Sequence, residues 1–185
     1  FPETRLSDSL VYGFNRAKLS WYSIDPVFQS SGGSNPLSKP LQQETANNIY
    51  TRQYFENDVF INRQNSTITN PPLYTLDLSY FPEEKGPYNF ETTPTPYSKG
   101  VNATGKLNNP ETRWGGIMRS IDGTTDFEAA NVEFIQFWVL DPFKYPGANR
   151  QGNLYIQLGN VSEDILKDSR KQYENGLPRP NGGTT

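Results

Sequence analysis

The chain has 185 residues, 34% of them apolar and 14% aromatic, with a net charge of −3. It contains no Cys and no His, which removes disulfides, thiol chemistry and Cys-ligated metals, together with the commonest general base and the commonest zinc ligand. No Lys/Arg run supplies the clustered basic surface that nucleic acid needs, and no apolar stretch approaches the ~18 residues of a transmembrane helix.

Fifteen Gly and fifteen Pro favour turns over long helices. Aliphatic residues are scarce, so Phe, Tyr and Trp must supply much of any core. Residues 12–25 read YGFNRAKLSWYSID. Ala17, Leu19 and Trp21 alternate with Arg16, Lys18 and Ser20, which predicts a half-buried strand. Asp25-Pro26 ends it, because Pro cannot donate to a ladder. Residues 30–40 have loop composition, and a short helix is expected within residues 41–60. Residues 73–80 predict a strand with Tyr74, Leu76, Leu78 and Tyr80 on one face. A long irregular connection rich in Pro and Gly fills residues 82–109, and a strand is expected over 114–121.

Residues 131–140, NVEFIQFWVL, are apolar or aromatic on both alternating sets, which predicts a central strand covered on both faces. Residues 153–159 alternate again through Leu154, Ile156 and Leu158. A helix is expected at 162–174, with Ser162 and Glu163 at its start and Gly176 and Pro178 after its end. The expected fold class is therefore mainly β: a jelly-roll-like antiparallel β-sandwich with one C-terminal α-helix and long Pro/Gly-rich loops. The chain is expected to be a single soluble, monomeric domain, strand-rich over 10–160, with a tail at 177–185. It opens on Phe1-Pro2-Glu3 and stops in loop composition, so it is expected to be a piece of a larger protein.

Four chemistries have candidate residues in the sequence. Asp126, Glu128 and Glu133 could pair for glycosidase-like work, but they sit close together on one stretch, whereas catalytic carboxylates flank a substrate from different elements. Turn and edge charges are the better account of them. Asp122, Asp126 and Glu128 in IDGTTDFE form a weak calcium candidate with no EF-hand spacing. Trp21, Trp114 and Trp138 could stack on sugar rings if exposed, although core packing is the default for Trp on a strand face. Ser31-Gly32-Gly33-Ser34 lacks the Gly-Lys-Ser/Thr that closes a phosphate loop, so no nucleotide or other cofactor is expected. Sequons at Asn65, Asn102 and Asn160 matter only in a eukaryotic secretory context.

Four blocks carry a family resemblance: GFNRAKLSWYSIDPVF (13–28), EEKGPYNF (83–90), WGGIMRSIDGTTDFEAANVEFIQFWVLDPF (114–143) and LYIQLGNVSEDILKDSRKQYENGLP (154–178). In wording and order they resemble the SprA/Sov family, which tends to show Arg where this chain has Lys85. The blocks cover about half the chain. The family is the giant outer-membrane β-barrel translocon of the type IX secretion system of Bacteroidetes, which passes cargo that includes gliding adhesins to the cell surface. The resemblance implies an internal, non-enzymatic piece of such a protein. That piece would be a soluble insertion on the periplasmic or extracellular side, in contact with other secretion components or the rest of its own chain. It carries over no catalytic residue. The matching positions count as scaffold: Arg16, Trp21, Asp25, Gly86, Pro87, Tyr88, Trp114, Asp126, Glu128, Trp138, Ser162 and Glu163. A buried Arg or Asp among them would need a polar partner. The alternative function is a carbohydrate-binding β-sandwich module.

Overall fold

The fold is that of a computed structural model, which describes residues 10–62, 70–86, 91–96, 98–119, 126–144 and 151–158. The expected helix at 162–174 lies outside these residues. The chain divides into two compact units, one of Phe1–Ser20, Ser79–Thr125 and Gly152–Thr185 and one of Trp21–Leu78 and Asp126–Gln151.

Two strands, β1 (Ala17–Tyr22) and β2 (Asp77–Lys85), form a two-stranded antiparallel sheet. With the short helices α1 (Pro26–Gln29), α2 (Lys39–Asn47) and α3 (Glu56–Val59), and two 3-10 turns at Leu10–Asn15 and Pro110–Thr112, this completes the regular structure of the described residues. β1 falls where alternation placed it, although the chain before it is a 3-10 turn that closes on the Arg16 N–H to Gly13 C=O bond of 3.0 Å. β1 ends at Tyr22, three residues before the Asp25-Pro26 pair expected to stop it, and Asp25 instead starts the next element. Its carboxylate accepts the Val27 N–H at 2.9 Å and caps α1, whose first residue is Pro26. Pro at a first helical position loses nothing, because that N–H has no partner inside a helix. Pro40, the second residue of α2, also lies in a first turn whose N–H groups have no partner inside the helix, and Asn48 ends α2 by donating its N–H to Glu44 C=O at 2.9 Å. α2 starts two residues before the expected interval. In α3 the Asp58 carboxylate reaches back to the Phe55 N–H at 3.0 Å.

β2 corrects the reading of residues 73–80. The strand begins at Asp77 and continues through Pro82 to Lys85. Pro is admissible there because both strands of a two-stranded sheet are edges, with N–H positions that need no ladder partner. The face is also reversed: Leu78 and Tyr80 are exposed, whereas Asp77 and Ser79 are half-buried. Polar contacts set this orientation. Asp77 accepts the Ile24 N–H at 3.4 Å, and the Ser23 hydroxyl donates to Thr75 C=O at 2.9 Å.

Three further expected strands are not formed among the described residues. Of residues 114–119 only Trp114 pairs, in a parallel bridge with Arg16. Residues 132–140 and 151–158 are in neither helix nor strand, and all are exposed. A segment apolar on both faces becomes a strand only between sheet neighbours and covering layers, and the described residues provide neither for these two runs.

Among the described residues the buried apolar side chains are Ala17 and Leu107, while Asn35, Glu91, Ser98 and Arg113 are buried polar ones. Order in both units therefore rests largely on side chains that satisfy backbone groups.

Candidate functional site

In the first unit the organising side chain is Arg113, 7% exposed. Its Nε and Nη2 donate to Asn108 C=O at 3.1 and 3.0 Å, Nη2 also donates to Gly100 C=O at 3.2 Å, and Nη1 donates to Phe14 C=O at 3.3 Å. One planar fork with five donors thus ties together three stretches of backbone. Burial holds the guanidinium below its ordinary range, and neighbouring Tyr80 offsets part of that. The Tyr80 phenol is pushed up to about 12 by burial, against the pull of Arg113.

The carbonyls that Arg113 holds belong to a tight loop. Val101 and Leu107 bridge antiparallel around a tip in which the Asn102 side-chain oxygen accepts from Thr104 N–H, Thr104 Oγ1 and Lys106 N–H at 2.7–3.0 Å. Leu107 N–H donates to Glu83 C=O at 2.8 Å, which joins the loop to β2. Gly100 has φ +67° and lies so close to the preceding segment that a Cβ would stand 2.7 Å from Thr92 O. Only Gly fits there.

Arg16 and Trp114, 98 positions apart, meet in this unit. The Arg16 guanidinium lies 5.3 Å from the Trp114 ring centroid and donates to Gly116 C=O at 3.3 Å. Ala17 N–H donates to Trp114 C=O at 2.8 Å, and Trp114 N–H to Asn15 C=O at 3.3 Å. At Gly115 a Cβ would meet the Tyr80 ring at 2.9 Å and Leu19 at 3.0 Å, so the absence of a side chain lets this run lie against the sheet.

In the second unit Asn35 plays the part of Arg113. Its Nδ2 donates to Phe28 and Ser30 C=O at 3.0 and 2.6 Å, and its Oδ1 accepts the Leu37 N–H at 2.9 Å. Arg52 lies 4.0 Å from the Tyr54 ring centroid and pairs with Asp58 at 3.5 Å. Asp126 caps a turn by accepting from Glu128 and Ala129 N–H at 3.0 Å each, and Asn131, at φ +52°, closes that turn.

Beyond Asn131 stands the largest departure from ordinary burial. Val132, Phe134, Ile135, Phe137, Trp138, Val139 and Leu140 keep 45–74% of their surfaces exposed. Two contacts tether the run within its unit: Trp138 meets Phe60 edge to face at 5.7 Å, and the Tyr50 hydroxyl donates to Pro142 C=O at 2.9 Å. In the first unit Leu154, Tyr155, Ile156 and Leu158 are likewise exposed. Apolar runs of this kind on a protein surface mark places where another protein packs. Each is a candidate functional surface of its own unit.

The sequence-designated residues thus divide. Arg16 and Trp114 come together, Asp25 and Asp126 cap local turns at exposed positions, Gly86 is buried and Glu128 is exposed. The expected core roles of Trp21 and Trp138 are corrected: they are 65% and 67% exposed, because no layer lies over them among the described residues. Pro87, Tyr88, Asp122, Ser162 and Glu163 lie outside the described residues. No group of three acidic ligands gathers among the described residues, and the Asp122 part of the calcium candidate falls outside them. Arg113 and Asn35 were missed. Nothing in their spacing separates them from surface residues, since their partners are carbonyls, which every residue carries. No helix of the described residues is long and apolar enough to cross a membrane. No family model, curated protein or solved structure matches the chain.

Proposed function

We propose that the chain is a non-catalytic structural and partner-binding domain of a giant outer-membrane translocon of the type IX, gliding-associated kind. In this reading it is a soluble insertion on the periplasmic or extracellular face. The observation that carries it is the exposed apolar run at 132–140, which lies inside one of the blocks that resemble the SprA/Sov family. A run in which both alternating sets are apolar is suited to burial between layers of protein and poorly suited to water. The neighbouring translocon chain, or another secretion component, supplies those layers. The 132–140 and 151–158 runs then become strands of a jelly-roll-like sandwich that this segment contributes to rather than completes.

The test is to use the chain as bait in outer-membrane extract of a gliding bacterium, alongside a Phe134→Lys, Trp138→Lys variant. The reading expects the chain to recover type IX components identified by mass spectrometry and the variant to lose them. Recovery of no secretion component, or equal recovery by both chains, overturns it.

One observation favours a carbohydrate-binding module instead. Trp21 and Trp138 are both largely exposed, as is Tyr74. Titration with a broad glycan panel decides it: saturable binding that is lost in Trp21→Ala supports this second reading, and silence across the panel removes it.

A further inference from the structure

The run between Asn131 and Asp141 has an internal symmetry that bears on what covers it. Read from either end about Gln136, two pairs repeat a residue type, aliphatic Val132 against Leu140 and aromatic Phe134 against Trp138, and a third, Ile135 against Phe137, is apolar on both sides. The run's single charge, Glu133, falls opposite Val139. Its flanks define its length. Asn131 closes the preceding turn at φ +52°, and Asp141-Pro142 follows, with the Asp141 carboxylate accepting the Phe143 N–H at 2.9 Å.

We infer that the free chain pairs with a second copy of itself through residues 132–140, antiparallel, with the two-fold axis at Gln136. In that register Phe134 meets Trp138, Ile135 meets Phe137 and Gln136 meets Gln136, pairs of a stabilising kind, Val132 meets Leu140, and Glu133 meets the uncharged Val139. The parallel in-register alternative sets Glu133 on Glu133, a like-charge pair that opposes it. Two features of the fold leave the run available. It pairs with no strand among the described residues, and its side chains are exposed. Its two tethers, Phe60 on Trp138 and Tyr50 on Pro142, fix its place without building a ladder along it. The interface is isologous, which closes as a dimer and does not propagate along the paired edge. It differs from the monomer expected above. It stands independently of the translocon reading, because it follows from the run's own pattern.

The chain has no cysteine, so single Cys variants report the register without background. Purified Gln136→Cys is expected to form a disulfide-linked dimer on mild oxidation. Val132→Cys alone is expected to stay uncrosslinked, whereas a mixture of Val132→Cys and Leu140→Cys crosslinks. Sedimentation equilibrium of the unmodified chain is expected to show twice the monomer mass at high concentration. Phe137→Lys is expected to lose the dimer while keeping its circular dichroism spectrum, since Phe137 is not a core residue. Crosslinking of Val132→Cys with itself indicates the parallel register and overturns the inference. So does a monomer at every concentration together with no crosslink in any of these variants.

Discussion

Residues 98–113 and residues 131–143 are stretches of similar length that treat their chemistry in opposite ways. The first is polar and Gly-bearing, yet it holds Ser98, Leu107 and Arg113 buried. The second is the most apolar stretch of the chain, yet it is exposed throughout. Hydropathy alone would have ranked them the other way. Burial depends on whether a segment can satisfy its own backbone where it lies, and on whether something else can cover it. The 98–113 loop satisfies its backbone internally: the Arg113 guanidinium and the Asn108 amide donate to carbonyls, and the Asn102 side-chain oxygen accepts N–H groups. The 131–143 run cannot cover itself, because a strand with two apolar faces needs material from elsewhere.

The largest expected effect comes from removing the hub of the first region. Arg113→Met removes the guanidinium hydrogen bonds to the carbonyls of Phe14, Gly100 and Asn108 at a buried position and is expected to cost about 3 kcal/mol of stability in a denaturant melt. A loss below ~0.5 kcal/mol, the size of an ordinary surface change, would break the comparison. Next is Gly100→Ala, which forces a Cβ onto Thr92 O at a positive φ and is expected to cost roughly 1–3 kcal/mol.

The third expectation is a pH dependence. The Tyr80 phenol titrates near 10 in an unfolded chain and at about 12 in the folded one. Its contribution is fully present below pH ~10 and is lost as pH rises from there through ~12, because the unfolded state releases the proton first. Melting temperature should therefore fall over this alkaline window by more in the unmodified chain than in Tyr80→Phe. Parallel curves for the two chains would contradict this. Tyr80 is partly exposed, so solvent screening keeps the effect modest.

Smaller effects belong to the second region and to surface charge. Trp138→Ala removes a residue that would cost roughly 3–5 kcal/mol in a packed core. Here, exposed and touching Phe60 at one edge, it is expected to cost about 1 kcal/mol or less in the dilute chain. A core-sized loss would mean that the run is buried after all. Lys106→Ala removes the exposed pair with Glu83 and is expected to leave the melting temperature essentially unchanged.

Much of the local structure could be read from sequence. β1 follows from alternation, and a short helix in the 41–60 interval from helix-permitting residues such as Glu44 and Ala46, although β1 already ends at Tyr22, three residues before Asp25, and the helix begins at Lys39. What sequence could not deliver was the faces. Leu78 and Tyr80 look like the inner side of a strand, but Asp77 turns inward because it accepts the Ile24 N–H, a partner far away in the chain. Residues 132–140 read as a buried strand because periodicity reports what a segment is suited to, and it is silent on whether neighbours are present. The site residues divide on the same ground. Asp126, which caps bonds two and three residues ahead, was legible as a turn charge. The hydrogen-bonding of Arg113 to Gly100 and Phe14 was not, because carbonyl partners leave no mark in the sequence.

Hydrogen exchange followed residue by residue in the dilute chain tests the contrast most directly. Slow exchange is expected at the amides of Val101, Asn102, Leu107 and Asn108, each of which donates to a backbone carbonyl, and fast exchange at Phe134–Leu140. Slow exchange across Phe134–Leu140 at dilution, or fast exchange throughout the Arg113 loop, would contradict the account.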